Sequence, residues 1–336
     1  MLEEARAAAG CVARQLAADT DAYAALGRTL RGQPPAVALT VARGSSDHAA
    51  GYLGYLVMSR LGRIVASLPM SLVTLYKSPL QARQTLAVAI SQSGQSPDVV
   101  APIGYFRAGG AATVALVNDA ASPLAQAAEW VLPLHAGPER SVAATKSFIA
   151  SLVAGARLVA HWQDDAPLQA ALQALPKALR VAAEADWSAA LDVLVPARAA
   201  MVVGRGPGFA VASEAALKLK ETSSLQAEAF SGAEIQHGPM ALIDAGYPLL
   251  IFATRGPAAA GLVELAAAMR QRGARVLLAA PADVPTRDLT LPVAPTPDLD
   301  PIVAVQAFYG LAAQLAVARG FDPDQPRHLR KVTRTQ

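Results

Sequence analysis

This chain of 336 residues predicts an α/β protein built from two tandem, doubly wound halves, each a parallel sheet flanked by helices. Three observations predict it. Apolar residues make up 53% of the chain and aromatics only 5%, and the remainder is mostly Ala, Val and Leu, which suits helix-rich α/β packing better than a β-sandwich. Short apolar runs alternate with helical stretches, the pattern of parallel strands joined by helices. The whole alternation occurs twice, at an offset of roughly 160 residues, as a duplicated unit would.

The elements follow in order. Residues 1–34 read as one or two amphipathic helices beginning Met1-Leu2-Glu3-Glu4-Ala5-Arg6, an acidic helix start and not a signal peptide. The run 37–42 enters Arg43-Gly44-Ser45-Ser46 and a helix through Leu61, and its counterpart 201–203 enters Gly204-Arg205-Gly206 and a helix through Lys220. Runs 86–90 and 249–254 each lead through a loop into a helix, 112–117 matches 274–279, and 130–133 matches 289–292. A helical stretch from about residue 142 to 196, punctuated by Pro167, Pro176 and Pro196, connects the halves. The expected organisation is an N-terminal helical segment 1–34, an α/β domain 35–165, a helical linker 166–196, a second domain 197–322 and a tail 323–336. The uncharged run 301–318 approaches membrane-spanning length, but Gln306, Gln314 and its many alanines mark it as a buried helix.

Composition narrows the function. The single cysteine, Cys11, excludes a disulfide framework and a Cys-based metal site, and fits a cytoplasmic protein. The five histidines, at 48, 135, 161, 237 and 328, show no metal-ligand spacing. The net charge of +3 is small, and much of the excess lies in the tail Arg327-His328-Leu329-Arg330-Lys331-Val332-Thr333-Arg334, so neither nucleic acid nor membrane is an expected partner.

The most informative stretch is Ser91-Gln92-Ser93-Gly94-Gln95-Ser96, between an apolar run and the helix start Pro97-Asp98. A helix dipole, free N–H groups and three hydroxyls converge there, as an anion site requires. No Lys or Arg lies in the loop, which favours a phosphate monoester on a small molecule over a nucleic-acid backbone. A polar turn that merely caps a helix uses the same residue types. In the second half Glu214, Lys218 and Glu221 share one helix face, the pattern either of a solvated ion-paired surface or of a site. Residues 226–239 are too irregular for a helix face and put His237 at a Gly-Pro turn. A carboxylate and an imidazole near a phosphate loop are what enolisation of a sugar phosphate needs: one opens the ring, the other moves a proton between C1 and C2. Rival readings are weaker. Gly204-Arg205-Gly206-Pro207-Gly208 lacks the G-x-G-x-x-G spacing and the following acidic residue of a dinucleotide site, and the serine loop lacks G-x-S-x-G.

Seven pieces in order carry a family resemblance: Gly44-Ser45-Ser46; Ser91-Gln92-Ser93-Gly94; Ala136-Gly137-Pro138-Glu139 leading to Val142-Ala143-Ala144-Thr145-Lys146; Glu214-Ala215-Ala216-Leu217-Lys218-Leu219-Lys220-Glu221; Ala227-Glu228-Ala229-Phe230; His237-Gly238-Pro239; and Asp324-Gln325-Pro326-Arg327-His328-Leu329-Arg330-Lys331. Across roughly 35–336 the chain resembles the two-domain SIS (sugar isomerase) family, both the isomerase half of glucosamine-6-phosphate synthase and the stand-alone glucosamine-6-phosphate deaminases. The resemblance implies two tandem doubly wound, flavodoxin-like domains. It implies that Ser46, Ser91, Gln92, Ser93 and Ser96 hold the phosphate, and that Gly44, Ser45, Glu139, Val142 and Lys218 line the sugar. Glu221 would transfer the proton, His237 would assist ring opening from across a homodimer interface, and Lys331 would meet the sugar carbonyl from a lid-like tail. No cofactor or metal is implied.

Departures bear on the nitrogen chemistry. Only a short helical segment precedes the first half, so the glutaminase domain of the synthase is expected to be absent. Arg43, Asp47-His48 and Gln236 stand where the synthase pattern has other residues. The expected activity is isomerising deamination of glucosamine 6-phosphate to fructose 6-phosphate and ammonia. The alternatives are a transaminase-like isomerase without a glutaminase domain, a plain aldose–ketose isomerase and, from another class, a non-catalytic sugar-phosphate sensor.

Overall fold

The computed structural model describes residues 1–331; Val332, Thr333 and Arg334 of the basic tail lie outside the described residues. The first segment forms three helices, α1 (Leu2–Arg6), α2 (Ala8–Ala17) and α3 (Thr20–Gly32). Then come β1 (Val37–Val41), α4 (Ser45–Leu61), β2 (Val65–Ser67), α5 (Ser71–Thr74), β3 (Thr85–Ser91), α6 (Pro97–Ala108), β4 (Ala112–Val117), α7 (Pro123–Ala127) and β5 (Trp130–Pro133). Helices α8 (Lys146–Gln163), α9 (Ala166–Ala183) and α10 (Leu191–Leu194) lead to β6 (Ala199–Gly204) and α11 (Phe209–Ser223). The chain ends with β7 (Gln226–Ser231), β8 (Pro248–Phe252), α12 (Ala259–Gln271), β9 (Arg275–Ala280), β10 (Leu289–Thr290) and α13 (Asp300–Ala318).

Two compact units result. One comprises residues 10–139, 146–173 and Arg330 with Lys331; the other comprises residues 1–9, 140–145 and 174–329. In the first unit a five-stranded, all-parallel sheet runs β2-β1-β3-β4-β5. Helices α4, α3 and α8 cover one face, while α5, α6 and α7 pack on the other. Strand β3 is buried along its length, which is why it reads as an unbroken apolar run. The winding reverses between β1 and β3, where Val41 pairs with Ala89, so the loops after both strands flank one crevice at their carboxyl ends.

The second unit repeats the plan with strand order β7-β6-β8-β9-β10, again parallel throughout. Helices α11 and α13 pack together on one side and α12 on the other. Helix α13 is apolar and long enough to cross a membrane, yet most of it is buried within the unit. Strands β2 and β7 had no counterpart in the sequence reading. Both are sheet edges, and the alternation of exposed Gln226 and Glu228 with buried Ala227 leaves no apolar run to read.

Past the carboxyl end of β8 the second unit carries an ion pair. The Arg255 guanidinium donates to both carboxylate oxygens of Asp300, Nε to Oδ2 at 2.8 Å and Nη2 to Oδ1 at 2.7 Å. Asp300 also accepts from the Ala294 amide at 2.9 Å, and Arg255 donates to the Ala294 carbonyl at 2.6 Å.

Candidate active site

The first unit carries the anion loop. Ser91 ends β3, and its Oγ accepts the Gly94 amide at 2.9 Å; Ser93 Oγ accepts the Gln95 amide at 3.3 Å. An oxygen that accepts from the loop keeps its own proton to donate, so both hydroxyls are positioned to serve an anion. Ser96 is the N-cap of α6, makes no side-chain cap bond, and precedes Pro97, which has no N–H to satisfy. Beside this loop, α4 begins at Ser45 and Ser46 after Gly44, whose φ of +54° and ψ of −132° suit glycine alone. The Arg43 guanidinium lies 3.7 Å from Asp98 in the first turn of α6.

Gly94 is the tightest point of the loop. Its φ is +63°, and a Cβ there would lie 2.2 Å from Ser122 Oγ, the N-cap oxygen of α7. The Gly94 carbonyl in turn accepts the Leu124 amide at 3.1 Å. Gly94→Ala is therefore expected to lose about 2–4 kcal/mol from overpacking and backbone strain, read as a fall in Tm in thermal unfolding.

Glu139 follows β5 in a loop clamped by Asn118, which donates to the Gly137 carbonyl at 2.9 Å and accepts the Ala136 amide at 2.8 Å. Its side chain is fully buried. Ser147, in the first turn of α8, donates its amide to Oε1 at 3.1 Å and its hydroxyl to Oε2 at 2.5 Å. Lys331 reaches the same Oε2 at 3.1 Å, bringing the tail lysine onto Glu139. A carboxylate buried to this degree needs such partners.

The second unit holds the other named residues. On α11, Lys218 is wholly buried and donates to Glu221 Oε2 at 2.6 Å, with Glu214 Oε1 3.1 Å away. Burial pulls the Lys218 ammonium down, but Glu214 and then Glu221 outweigh it, and the net effect holds it above the usual lysine range. Tyr309 of α13 donates to Glu214 Oε1 at 3.4 Å. Glu214 is equally buried, whereas the Glu221 side chain keeps 21% of its surface open. This face is therefore no solvated ion-paired surface but a buried charge triad with one accessible carboxylate.

Val142 is half-buried, its amide donating to the Asp324 carbonyl at 3.3 Å. The same strand of loop is tied by the Glu4 carboxylate of α1, which accepts the Arg140 amide at 2.5 Å and the Ser141 amide at 3.3 Å. His237 follows a short 3-10 turn, Glu234–Gln236, and is exposed, with no side-chain hydrogen-bond partner among the described residues. Gly238 after it has φ +130° and turns the chain. The supports Asn118, Ser147, Tyr309 and Glu4 went unread in the sequence, since none adjoins in the chain the residue it supports.

Comparison with known proteins agrees with this architecture. A family model described as the SIS domain matches residues 37–160 and again 193–317. The glutamine–fructose-6-phosphate aminotransferase (isomerizing) of Zymomonas mobilis is 33% identical over 311 residues, 87% of this chain and 51% of that protein. Its counterpart in Aeropyrum pernix is 36% identical over 314 residues, covering 88% and 50%. The chain thus spans about half the length of the curated relatives it matches. A solved structure of a candidate phosphosugar isomerase from Silicibacter pomeroyi DSS-3 matches with a TM-score of 0.92 at 40% identity, over 96% of this chain and 99% of that one. The C-terminal domain of glucosamine-fructose-6-phosphate aminotransferase from Francisella tularensis shares the fold, with a TM-score of 0.86 at 23% identity and coverage of 97% and 98%. With two matched segments that take in most of its length, the chain belongs to the SIS domain family, as a two-domain member related to these aminotransferases and phosphosugar isomerases.

Proposed function

We propose that the chain is a phosphosugar isomerase of the aminotransferase type, joining fructose 6-phosphate and ammonia to glucosamine 6-phosphate. The observation that carries this reading is the accessible Glu221 carboxylate, fixed by a buried lysine on a chain a third identical to glutamine–fructose-6-phosphate aminotransferases. Ammonia adds to the C2 ketone and water leaves, giving an imine. Glu221 removes a proton from C1 and returns it to C2 while the O1 hydroxyl proton passes to the nitrogen, which turns the imine into the amine and C1 into the aldehyde of the 2-amino aldose. Ser46, Ser91, Gln92, Ser93 and Ser96 hold the phosphate, while Gly44, Ser45, Glu139, Val142 and Lys218 surround the sugar. Lys331, held by Glu139, serves the carbonyl carbon. Deamination, the reverse of the same steps, and plain aldose–ketose exchange share this proton transfer.

Incubation with fructose 6-phosphate in D2O, followed by NMR, tests the proposal. Deuterium should enter at C1, and added ammonium should give glucosamine 6-phosphate. Binding without exchange would mean a sensor and end the enzymatic reading. Ser93→Ala is expected to weaken fructose 6-phosphate binding by about 1.5–3 kcal/mol, since a donor to a charged group is lost. Unchanged affinity by calorimetry would remove that serine from the site.

The exposed His237, with no side-chain hydrogen-bond partner among the described residues, supports a role in a partner's site, as the family resemblance implies. In that case mixing Glu221→Gln and His237→Asn proteins regenerates intact sites, one per mixed dimer, for about a quarter of wild-type activity. No recovery on mixing would assign His237 to its own chain's site.

A further inference from the structure

The first unit contains a cavity that shares no residue with the candidate active site. It measures about 180 Å³ and is lined by Leu16 of α2, Thr20 of α3, Arg157 and His161 of α8, and Gln169, Leu172 and Gln173 of α9. Arg157 is 3% exposed. Its Nη1 donates to the Gln15 carbonyl in the last turn of α2 at 2.6 Å, and its Nη2 to Thr20 Oγ1 at 2.9 Å. Its guanidinium carbon sits 4.2 Å over the Tyr23 ring.

No carboxylate lies within ion-pairing distance of this guanidinium among the described residues; the Asp19 charge reaches it only at longer range, and the direct ion pairs of its acidic neighbours go to other groups. Asp19 pairs with His135 at 2.5 Å, Asp164 with Arg31 at 3.9 Å, and Asp165 with Arg60 at 2.6 Å. The α2 carbonyl supplies only the partial charge of a helix end, and the ring below supplies a quadrupole. A buried cation ordinarily needs a full counter-charge. Burial, and then Arg157 itself, lower the affinity of His161 for a proton, so the histidine adds no second positive charge.

We propose that this cavity binds a small organic carboxylate through the Arg157 guanidinium. One guanidinium without a direct ion pair matches one negative charge, and a dianion such as phosphate would remain half-compensated. The guanidinium fork, with two of its five N–H groups used by the protein, suits a planar carboxylate. The cavity has room for several waters, the space of a small organic acid. Leu16 and Leu172 are buried and meet the alkyl end, and Gln173 is the exposed glutamine of the lining.

The test is thermal unfolding and calorimetry of the whole chain with sodium acetate, propionate and butyrate, against sodium chloride and sodium phosphate at matched ionic strength. The carboxylates should raise Tm saturably, chloride should not, and phosphate should bind at least about tenfold more weakly. Gln173→Glu puts a like charge at the exposed mouth and should weaken carboxylate binding about tenfold, with fructose 6-phosphate affinity unchanged. Arg157→Lys, which loses the fork, should abolish the effect. If that variant fails to fold, Gln173→Glu decides alone. Equal responses to chloride, a preference for phosphate, or binding indifferent to Gln173→Glu would each overturn the proposal.

Discussion

Glu221→Gln is expected to lower turnover by about 10²–10⁴-fold while KM stays near the wild-type value. The substitution keeps the shape of the side chain, and its carbonyl oxygen can still accept from Lys218 Nζ, now 2.6 Å from Oε2. What disappears is the capacity to take a proton from one carbon and return it to the next. Deuterium entry at C1 of fructose 6-phosphate should fall in the same proportion as product formation, because both depend on that one transfer. An unchanged Tm would show that the loss is chemical. Exchange at wild-type rate would remove Glu221 from the mechanism and leave His237 or Lys331 as the proton carrier.

Lys218→Met is expected to cost about 3–5 kcal/mol of stability, because it strands a carboxylate inside the fold. Glu214 has no exposed surface, and its ammonium partner is 3.1 Å away. Methionine fills the space of the lysine stem but offers no charge. A fall in Tm of about 5–12 °C should follow. Replacing both, Glu214→Leu with Lys218→Met, should recover most of that loss, since an apolar pair is compatible with the buried site. Failure of the double variant to recover would mean that Lys218 acts through packing. The pH dependence has a definite sign. The Lys218 ammonium is held above its ordinary value, so its stabilisation is complete below about pH 10.4 and is lost as pH rises through the folded value. Wild type should therefore show an alkaline loss of Tm that Lys218→Met lacks, and neither should vary on this account between pH 7 and 9.

Much of the fold was legible because its inner strands are buried on both faces. The run at 112–117 coincides with β4, the run at 86–90 lies within β3, and the helix through Leu61 ends there. Edge strands β2 and β7 escaped, since a strand facing water on one side has no need of continuous apolar residues. The segment 226–239, read as irregular, opens with β7 before its turns. The charged face of α11 was visible, but not its burial: that depends on α13, some ninety residues later, bringing Tyr309 to Glu214. Ser147 likewise reads as an ordinary helix residue, and only the fold sets it beneath both oxygens of Glu139.

The internal Arg255–Asp300 pair carries a consequence for stoichiometry. Two corresponding loops follow the matched strands, and the later one carries the Arg255–Asp300 pair where the earlier one carries serine hydroxyls. Calorimetric titration with a hexose phosphate should accordingly saturate at one equivalent per polypeptide, a single-ligand machine assembled from a twofold-repeated gene product.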